Sequence, residues 1–122
     1  MLSAIVKKVS GETLSDYLKP RLFDPLEIFD YYFEKSNSMV EKGGWGLYII
    51  PEDFAKIGQM LLNRGIWNGK RILSESWIDL ATKRQITVPA SFGNYDYGYH
   101  VWVGKNANSF LFNGMFGQNV LG

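Results

Sequence analysis

One stretch of the chain, GGWGLYIIPEDFAK at residues 43–56, decides the fold that the sequence predicts. Three glycines and a tryptophan precede an extended apolar run that ends at Ile50, and a helix begins abruptly after it. Pro51 suits the first position of a helix, where the N–H that proline lacks would have no partner. Glu52 and Asp53 follow, and their negative charge complements the positive end of the helix dipole. The stretch therefore predicts a short strand-like segment that leads directly into a helix.

Two short helices are predicted upstream of this stretch. The first is amphipathic, with apolar side chains at helical spacing, and Gly11 stands where a left-handed residue would end it. Thr13 and Asp16 resemble a capping box that opens the second helix, and Pro20 should kink or end that helix. Residues 24–44 lose this periodicity and mix polar with aromatic residues, so a long loop is predicted there. The apolar residues of the first helix are Leu2, Ile5, Val6 and Val9.

More helices are predicted after Pro51. Gly65 marks the end of the helix that Pro51 begins, Asn68-Gly69 predicts a hairpin turn, and Ser74 is expected to cap another helix. The apolar stripe predicted for the helix after Pro51 consists of Phe54, Ile57, Leu61 and Leu62.

Strands are predicted in the last third of the chain. Aromatic and apolar residues alternate with other residues from Tyr97 to Val103, and two further short strands are predicted at residues 109–112 and 118–121. Helices followed by antiparallel strands are typical of an α+β fold. We therefore predict a helical portion at residues 1–88 and a sheet portion at residues 89–122, both within one domain.

Composition excludes several classes of function. The 122 residues include 46% hydrophobic residues, which is enough for one packed domain. A formal net charge of +1, without a run of like charges, argues against a nucleic-acid partner. The absence of cysteine excludes disulfides and thiolate metal sites but leaves the compartment open. The longest apolar run is too short to span a membrane and no signal-like segment is present, so a soluble chain is expected, without metal or cofactor.

The sequence contains no self-contained catalytic motif. No serine is followed three residues later by lysine, Gly-x-Ser-x-Gly is absent, and His100 is the single histidine. We interpret His100, within a predicted strand, as a structural residue. Glu52 and Asp53 point about a hundred degrees apart on a helix, so they are interpreted as helix-end charges rather than as a pair of catalytic acids. The aromatic residues are interpreted as core, with a stacking platform for sugars or bases as the alternative.

Three blocks of the sequence nevertheless resemble consecutive segments of one family, the serine β-lactamase-like hydrolases. This family includes class C β-lactamases, penicillin-binding proteins, esterases and 6-aminohexanoate-dimer hydrolases. Glu27 departs from its pattern, in which glycine usually follows Pro-Leu. The resembling segments are LSAIVKKVSGETL at residues 2–14 with FDPL at 23–26, then GGWGL at 43–47, PEDFAKIG at 51–58 and WNGKRIL at 67–73, and finally YGY at 97–99 with GMFGQ at 114–118.

The resemblance implies that the glycine-rich stretch and its helix belong to a helical subdomain above an active-site cleft. The family's Ser-x-x-Lys nucleophile and its Tyr-x-Asn or Ser-x-Asn base motif lie N-terminal to the matched region, and Ser36-Asn37 occurs too late in the order to replace them. The third motif, Lys/His-Thr/Ser-Gly, would lie between Ser109 and Gly114, where Phe112-Asn113-Gly114 is a degenerate candidate. We therefore expect substrate binding by Asn113 and Gly114 and no catalytic residue in this chain, which is expected to be a fragment of the fold.

The function implied by the resemblance is a portion of a serine-dependent hydrolase. Its parent would cleave a small-molecule amide, ester or β-lactam through an acyl-enzyme, and this chain alone would be inactive. One alternative is a non-catalytic binding or regulatory module that holds a peptide or glycan in an aromatic cleft. Another is a structural subdomain. Because the family's neighbouring strands are missing, we also expect a homo-oligomer that assembles through unpaired strand edges, with residues 97–121 at the interface.

Overall fold

The structure is a computed structural model, and it describes residues 1–105, 109–114 and 119–122. The chain divides into two compact units, Met1–Phe54 and Ala55–Gly122, which are described separately. Helices and antiparallel strands occur together in the chain, so the predicted α+β class is confirmed. The predicted boundary between a helical portion and a sheet portion at residues 88 and 89 stays a prediction.

The first unit begins with two capped helices, α1 at Leu2–Ser10 and α2 at Leu14–Leu18. Gly11 ends α1 in the left-handed conformation, as predicted. The Thr13 hydroxyl accepts a hydrogen bond from the Asp16 N–H at 3.2 Å and donates to the Asp16 carboxylate at 2.6 Å, so the predicted cap is confirmed. A π-helical turn at Lys19–Phe23 follows α2 and contains Pro20 near its start, where the sequence predicted a kink or an end.

The core of the first unit is small and partly aromatic. Its buried apolar side chains are Phe23, Leu26, Ile28 and Phe33. The ring of Phe23 stacks on Tyr31 at a centroid distance of 3.9 Å. The apolar side chains of α1 contribute little, because Leu2, Ile5 and Val9 are exposed and the buried residue of that helix is Ser3.

The prediction of an uninterrupted loop at residues 24–44 was wrong. Strand β1, Tyr31–Phe33, lies in that range and pairs antiparallel with β2, Leu47–Ile49. Tyr31 lies opposite Ile49, and a further antiparallel bridge joins Lys35 to Glu41. A strand of three residues is too short to show a period in the sequence, and its partner lies well outside any local window.

Helix α3 runs from Pro51 to Leu62 and begins at the predicted residue. The apolar stripe predicted for α3 was partly wrong, because it included Leu62 and omitted Met60. Met60 is 1% exposed, whereas Leu62 is half exposed. The helix is followed by a hairpin of β3, Ile66–Trp67, and β4, Lys70–Arg71, with Asn68-Gly69 in its turn as predicted.

Helix α4, Glu75–Ala81, begins as the sequence predicted. The Ser74 hydroxyl accepts a hydrogen bond from the Trp77 N–H at 3.2 Å and so caps the helix. Ile78 is the buried residue of α4. A short 3₁₀ turn at Ala90–Phe92 then leads to the sheet of the second unit.

This sheet has four antiparallel strands in chain order: β5 at Tyr95–Tyr97, β6 at Trp102–Gly104, β7 at Phe110–Asn113 and β8 at Asn119–Leu121. The predicted continuous strand from Tyr97 to Val103 was wrong. A tight turn separates β5 from β6, with the Gly98 N–H donating to the Val101 carbonyl at 2.8 Å. His100 lies in this turn at φ 57° rather than on a strand. The last predicted strand began at Gln118, which lies outside the described residues.

A buried carboxylate, Asp96, joins β5 to the preceding segment. Its Oδ1 accepts a hydrogen bond from the Val88 N–H at 2.9 Å, and its side chain is 5% exposed. The Lys105 ammonium lies 3.8 Å from Oδ1 and also donates to the Val88 carbonyl at 2.6 Å. The Arg84 guanidinium lies 3.6 Å from Oδ2. One side chain thus satisfies a backbone N–H and lies beside two cations.

Candidate functional site

The two predicted substrate-binding residues lie at one end of the four-stranded sheet. Asn113 is the last residue of β7, it is exposed, and it lies opposite Asn119 of β8. Gly114 follows it and is half-buried. The rest of the predicted GMFGQ block, residues 115–118, lies outside the described residues. The structure therefore places Asn113 and Gly114 side by side at a strand end, and their role in substrate binding stays a prediction.

The pairing of β7 with β8 fixes the face on which Asn113 lies. Val120 lies opposite Phe112 and packs toward α3, because a Cβ added at Gly58 would lie 2.6 Å from its Cγ1. Successive side chains of a strand alternate between the two faces. Asn113 therefore lies on the face directed away from α3, together with Leu111. The side chain is accessible at the strand end, as a substrate-contacting residue must be.

The chemistry that Asn113 can supply is limited by its amide. The side chain offers two N–H donors and a carbonyl acceptor, so it can orient a substrate carbonyl or amide. It has no titratable group and cannot transfer a proton. A catalytic step at this strand end would therefore need a nucleophile and a base from elsewhere.

The other residues weighed in the sequence are used for local structure. The Ser36 hydroxyl accepts a hydrogen bond from the Val40 N–H at 3.2 Å and lies 2.9 Å from the Ser38 hydroxyl, so it supports a turn. Glu52 and Asp53 lie in the first turn of α3, as the helix-end interpretation requires.

Neither a metal-ligand cluster nor a membrane-spanning helix occurs among residues 1–105, 109–114 and 119–122. No group of three or more His, Cys, Asp or Glu side chains in this part of the chain could hold a metal ion. Among the same residues, no helix is long and apolar enough to cross a membrane.

The glycine-rich stretch is attached to β1 through Glu34. The Glu34 N–H donates to the Gly46 carbonyl at 2.8 Å, and its carboxylate accepts hydrogen bonds from Lys42 at 2.8 Å and from the Tyr48 hydroxyl at 2.7 Å. These two side-chain hydrogen bonds, from Lys42 first and Tyr48 second, lower the pKa of Glu34. The Lys42 ammonium also lies 3.7 Å from the centre of the Trp45 ring. The Glu34 carboxylate thus contacts a residue on each side of the glycine-rich stretch, Lys42 before it and Tyr48 after it.

A cavity of about 500 Å³ in the first unit was not predicted from the sequence. Its lining includes Ser15 of α2 and the buried Glu41, whose carboxylate accepts hydrogen bonds from the Ser15 N–H at 2.7 Å and the Ser15 hydroxyl at 2.6 Å. The two residues are 26 positions apart, and no local pattern in the sequence pairs them. The single available signal was the mixture of aromatic and charged residues between residues 24 and 44.

The chain is similar in structure to three solved proteins. A putative 6-aminohexanoate-dimer hydrolase from Bacillus anthracis matches 98% of this chain with a TM-score of 0.85 and 24% identity. The octameric penicillin-binding protein homologue from Pyrococcus abyssi matches 98% with a TM-score of 0.62 and 23% identity. A penicillin-binding protein from Bacillus halodurans matches 90% with a TM-score of 0.65 and 16% identity. No family model and no curated protein matches the sequence.

These matches cover 32%, 30% and 40% of the three proteins, so the chain spans about a third of their length. The chain therefore has the fold of a segment of the β-lactamase-like and penicillin-binding-protein-like hydrolases. The resemblance drawn from its sequence motifs is confirmed at the level of fold.

Proposed function

We propose that the chain is part of a serine-dependent hydrolase and is inactive by itself. The similarity in fold to a 6-aminohexanoate-dimer hydrolase over 98% of the chain is the observation that carries this proposal. The parent would form an acyl-enzyme on an upstream serine, with a lysine and a tyrosine sharing the proton transfers. Its substrate would be a small-molecule amide, ester or β-lactam.

The inactivity of the isolated chain follows from its side chains. Acyl transfer to a hydroxyl requires an adjacent base to activate that hydroxyl. Among the described residues, the Thr13 hydroxyl lies 2.6 Å from the Asp16 carboxylate as part of a helix cap, and the Ser15 hydroxyl lies 2.6 Å from the Glu41 carboxylate. That carboxylate also accepts the Ser15 backbone N–H, so the arrangement is accounted for by the local fold.

We expect no turnover when the purified chain is incubated with nitrocefin or a p-nitrophenyl ester, and no covalent label from a fluorescent penicillin. The Ser15→Ala variant is the matched control, because it removes the hydroxyl that donates to the buried Glu41 carboxylate. A labelled serine identified by mass spectrometry, or turnover that Ser15→Ala abolishes, would contradict the proposed inactivity.

In a parent enzyme that contains this segment, we propose that Asn113 and Gly114 border the substrate. Asn113→Ala is expected to lower the acylation rate roughly 100-fold, at the lower end of the range for removing a single hydrogen-bond donor to a reacting carbonyl. Stability should change by less than about 0.5 kcal/mol because the side chain is exposed.

The test compares stopped-flow acylation and the thermal midpoint of each variant of the parent. Asn37→Ala is the control, since Asn37 is another exposed asparagine. Equal acylation rates for the parent, Asn113→Ala and Asn37→Ala would remove Asn113 from the substrate site.

We also propose that the isolated chain forms a homodimer or a higher oligomer through residues 97–121. Strand β8 is the edge of its sheet. Phe110 and Gly122 exchange both backbone hydrogen bonds, so by antiparallel alternation the N–H and C=O of Leu121 point away from β7. The Leu121 side chain is 65% exposed. An edge of this kind can pair with a second copy. The octameric state of the similar Pyrococcus protein is consistent with this proposal.

Light scattering behind a sizing column should give at least twice the monomer mass at micromolar concentration. Leu121→Lys is expected to shift the chain to the monomer, since it places a charge at the proposed contact. Val9→Lys is the control, because Val9 is exposed on α1 at 79%. A monomeric wild-type chain, or dissociation by Val9→Lys rather than by Leu121→Lys, would rule out the proposed interface.

A further inference from the structure

The lining of the cavity in the first unit combines charged and hydroxyl groups with aromatic rings. Its volume of about 500 Å³ falls within the range of ordinary small-molecule sites. Lys19 and Asp24 contribute an ion pair at 2.6 Å, and the buried Glu41 contributes a carboxylate held by Ser15. Every one of these residues lies within the unit that ends at Phe54.

The carboxylates that line the cavity already have partners in the protein. Asp24 pairs with Lys19, Glu41 accepts two hydrogen bonds from Ser15, and Asp16 accepts one from Thr13 at 2.6 Å. A cation would find each of these carboxylates already engaged by a donor of the protein, and it would also meet the ammonium groups of the lining. An anion would meet three carboxylates against two ammonium groups, those of Lys19 and Lys35. The lining thus suits a neutral ligand that can both donate and accept hydrogen bonds.

Tyr31 supplies a donor in this cavity. One face of its ring stacks on Phe23 at 3.9 Å, which fixes the ring in place. Burial raises the pKa of the Tyr31 hydroxyl, the Lys19 ammonium lowers it in part, and nearby carboxylates, Asp24 first, raise it further. The hydroxyl therefore lies among these charged groups and is protonated at neutral pH.

Two aromatic residues of the cavity lining are exposed to solvent. Phe29 is 73% exposed and Tyr32 is 59% exposed, although both line the cavity. The face of an aromatic ring carries partial negative charge and attracts the weakly positive C–H groups of a flat partner. A pyranose ring presents such C–H groups on its faces and hydroxyls around its edge. An exposed ring beside paired polar groups is therefore complementary to a sugar.

We propose that this cavity binds a neutral oligosaccharide, with one sugar packed against Phe29 and its hydroxyls bonded to Tyr31, Asp24 and Lys19. The site is separate from the strand end at Asn113 and needs none of the catalytic groups of the proposed hydrolase. It deepens the alternative reading of the aromatic residues as a platform for sugars. The proposed site binds its ligand without any covalent step.

The test uses the intact chain and three neutral trisaccharides, namely cellotriose, maltotriose and N,N′,N″-triacetylchitotriose. Saturation-transfer NMR should show transfer to at least one of them, and titration should give a dissociation constant for each variant. Phe29→Ala should weaken binding about 10-fold, as expected for the loss of a stacking ring. Tyr31→Phe should weaken it about two- to tenfold, the effect of one hydrogen bond, while its ring remains stacked on Phe23.

Tyr99→Phe is the matched control, since it removes a phenolic hydroxyl from an exposed tyrosine of the second unit. Its affinity should equal that of the wild type. Circular dichroism checks each variant, and Phe29→Ala still decides the result if Tyr31→Phe fails to fold, because Phe29 is largely exposed. Absence of transfer from all three saccharides would overturn the proposal, as would equal affinities for the wild type and Phe29→Ala. Neither result would bear on the hydrolase, which is tested by acylation of the parent.

Discussion

Gly65→Ala is expected to lower the free energy of unfolding by about 4 kcal/mol, from the combined cost of backbone strain and overpacking. Gly65 has φ 84°, in the left-handed region that disfavours side chains. A Cβ at this position would overlap the Leu73 carbonyl oxygen and lie 3.0 Å from Cδ1 of the buried Ile78. The backbone at Gly65 cannot shift easily to relieve this overlap, because the Gly65 carbonyl accepts hydrogen bonds from the N–H groups of Ile72 and Leu73.

Gly69→Ala separates the two causes of this loss. Gly69 has φ 77°, close to that of Gly65, but a Cβ there would meet no atom within 4 Å. Its replacement should cost only about 1 kcal/mol, the penalty of the left-handed conformation alone. Urea unfolding followed by circular dichroism measures both variants. Equal losses for the two would mean that Leu73 and Ile78 yield to the added methyl group and that only backbone strain matters.

Asp96→Ala is expected to lower the free energy of unfolding by about 3 kcal/mol, near the lower end of the range for breaking a buried ion pair. The replacement leaves the Val88 N–H without its acceptor and the Lys105 ammonium, 21% exposed at its side chain, without its carboxylate. An unsatisfied buried group costs more than the hydrogen bond itself contributes. Asp96→Asn keeps an acceptor for the Val88 N–H and should lose about half as much.

Asp79→Ala provides the control for Asp96. Asp79 lies 2.6 Å from Arg64, a shorter distance than either ion pair of Asp96, but both partners are 55% exposed. Exposed pairs contribute little, so a loss below about 1 kcal/mol is expected. A loss at Asp79 equal to that at Asp96 would show that burial does not determine the contribution of these carboxylates.

Local signals in the sequence predicted the ends of several elements. The caps at Thr13 and Ser74, the start of α3 at Pro51 and the hairpin turn at Asn68-Gly69 were all predicted correctly, because each depends on residues within four positions of one another. The cap residues form hydrogen bonds with backbone groups only a few positions away in the chain, so a short window of sequence contains the whole signal.

Three features of the fold were not predicted, one because it depends on distant residues and two because the local pattern is ambiguous. Strand β1 forms because Tyr31 meets Ile49, and no window of local sequence contains both. The turn at His100 interrupts an alternation that looks continuous in the sequence, since Gly98 and His100 fit both a strand and a turn. Helix periodicity likewise did not distinguish the buried Met60 from the exposed Leu62.

The two candidate sites also differ in whether a local sequence motif could indicate them. Asn113 and Gly114 were selected by resemblance to a family motif, and the structure places them at a strand end without testing their role. The cavity around Ser15 and Glu41 exists only after folding brings these residues together, so no motif could have indicated it.

The hydrogen bonds between Glu34 and the glycine-rich stretch make the local order of that backbone segment depend on pH. Hydrogen bonds from Lys42 and Tyr48 lower the pKa of Glu34, so their contribution is present above the ordinary pKa of a glutamate and is lost as the pH falls through the lowered value. Once Glu34 is protonated, the stretch keeps the backbone hydrogen bond from the Glu34 N–H to the Gly46 carbonyl but loses the charged partner of Lys42. Glycines gain more conformational entropy on release than other residues. The segment ahead of β2 should therefore open locally in acid, while the buried side chains of Phe23 and Leu26, which do not titrate, keep the apolar core closed.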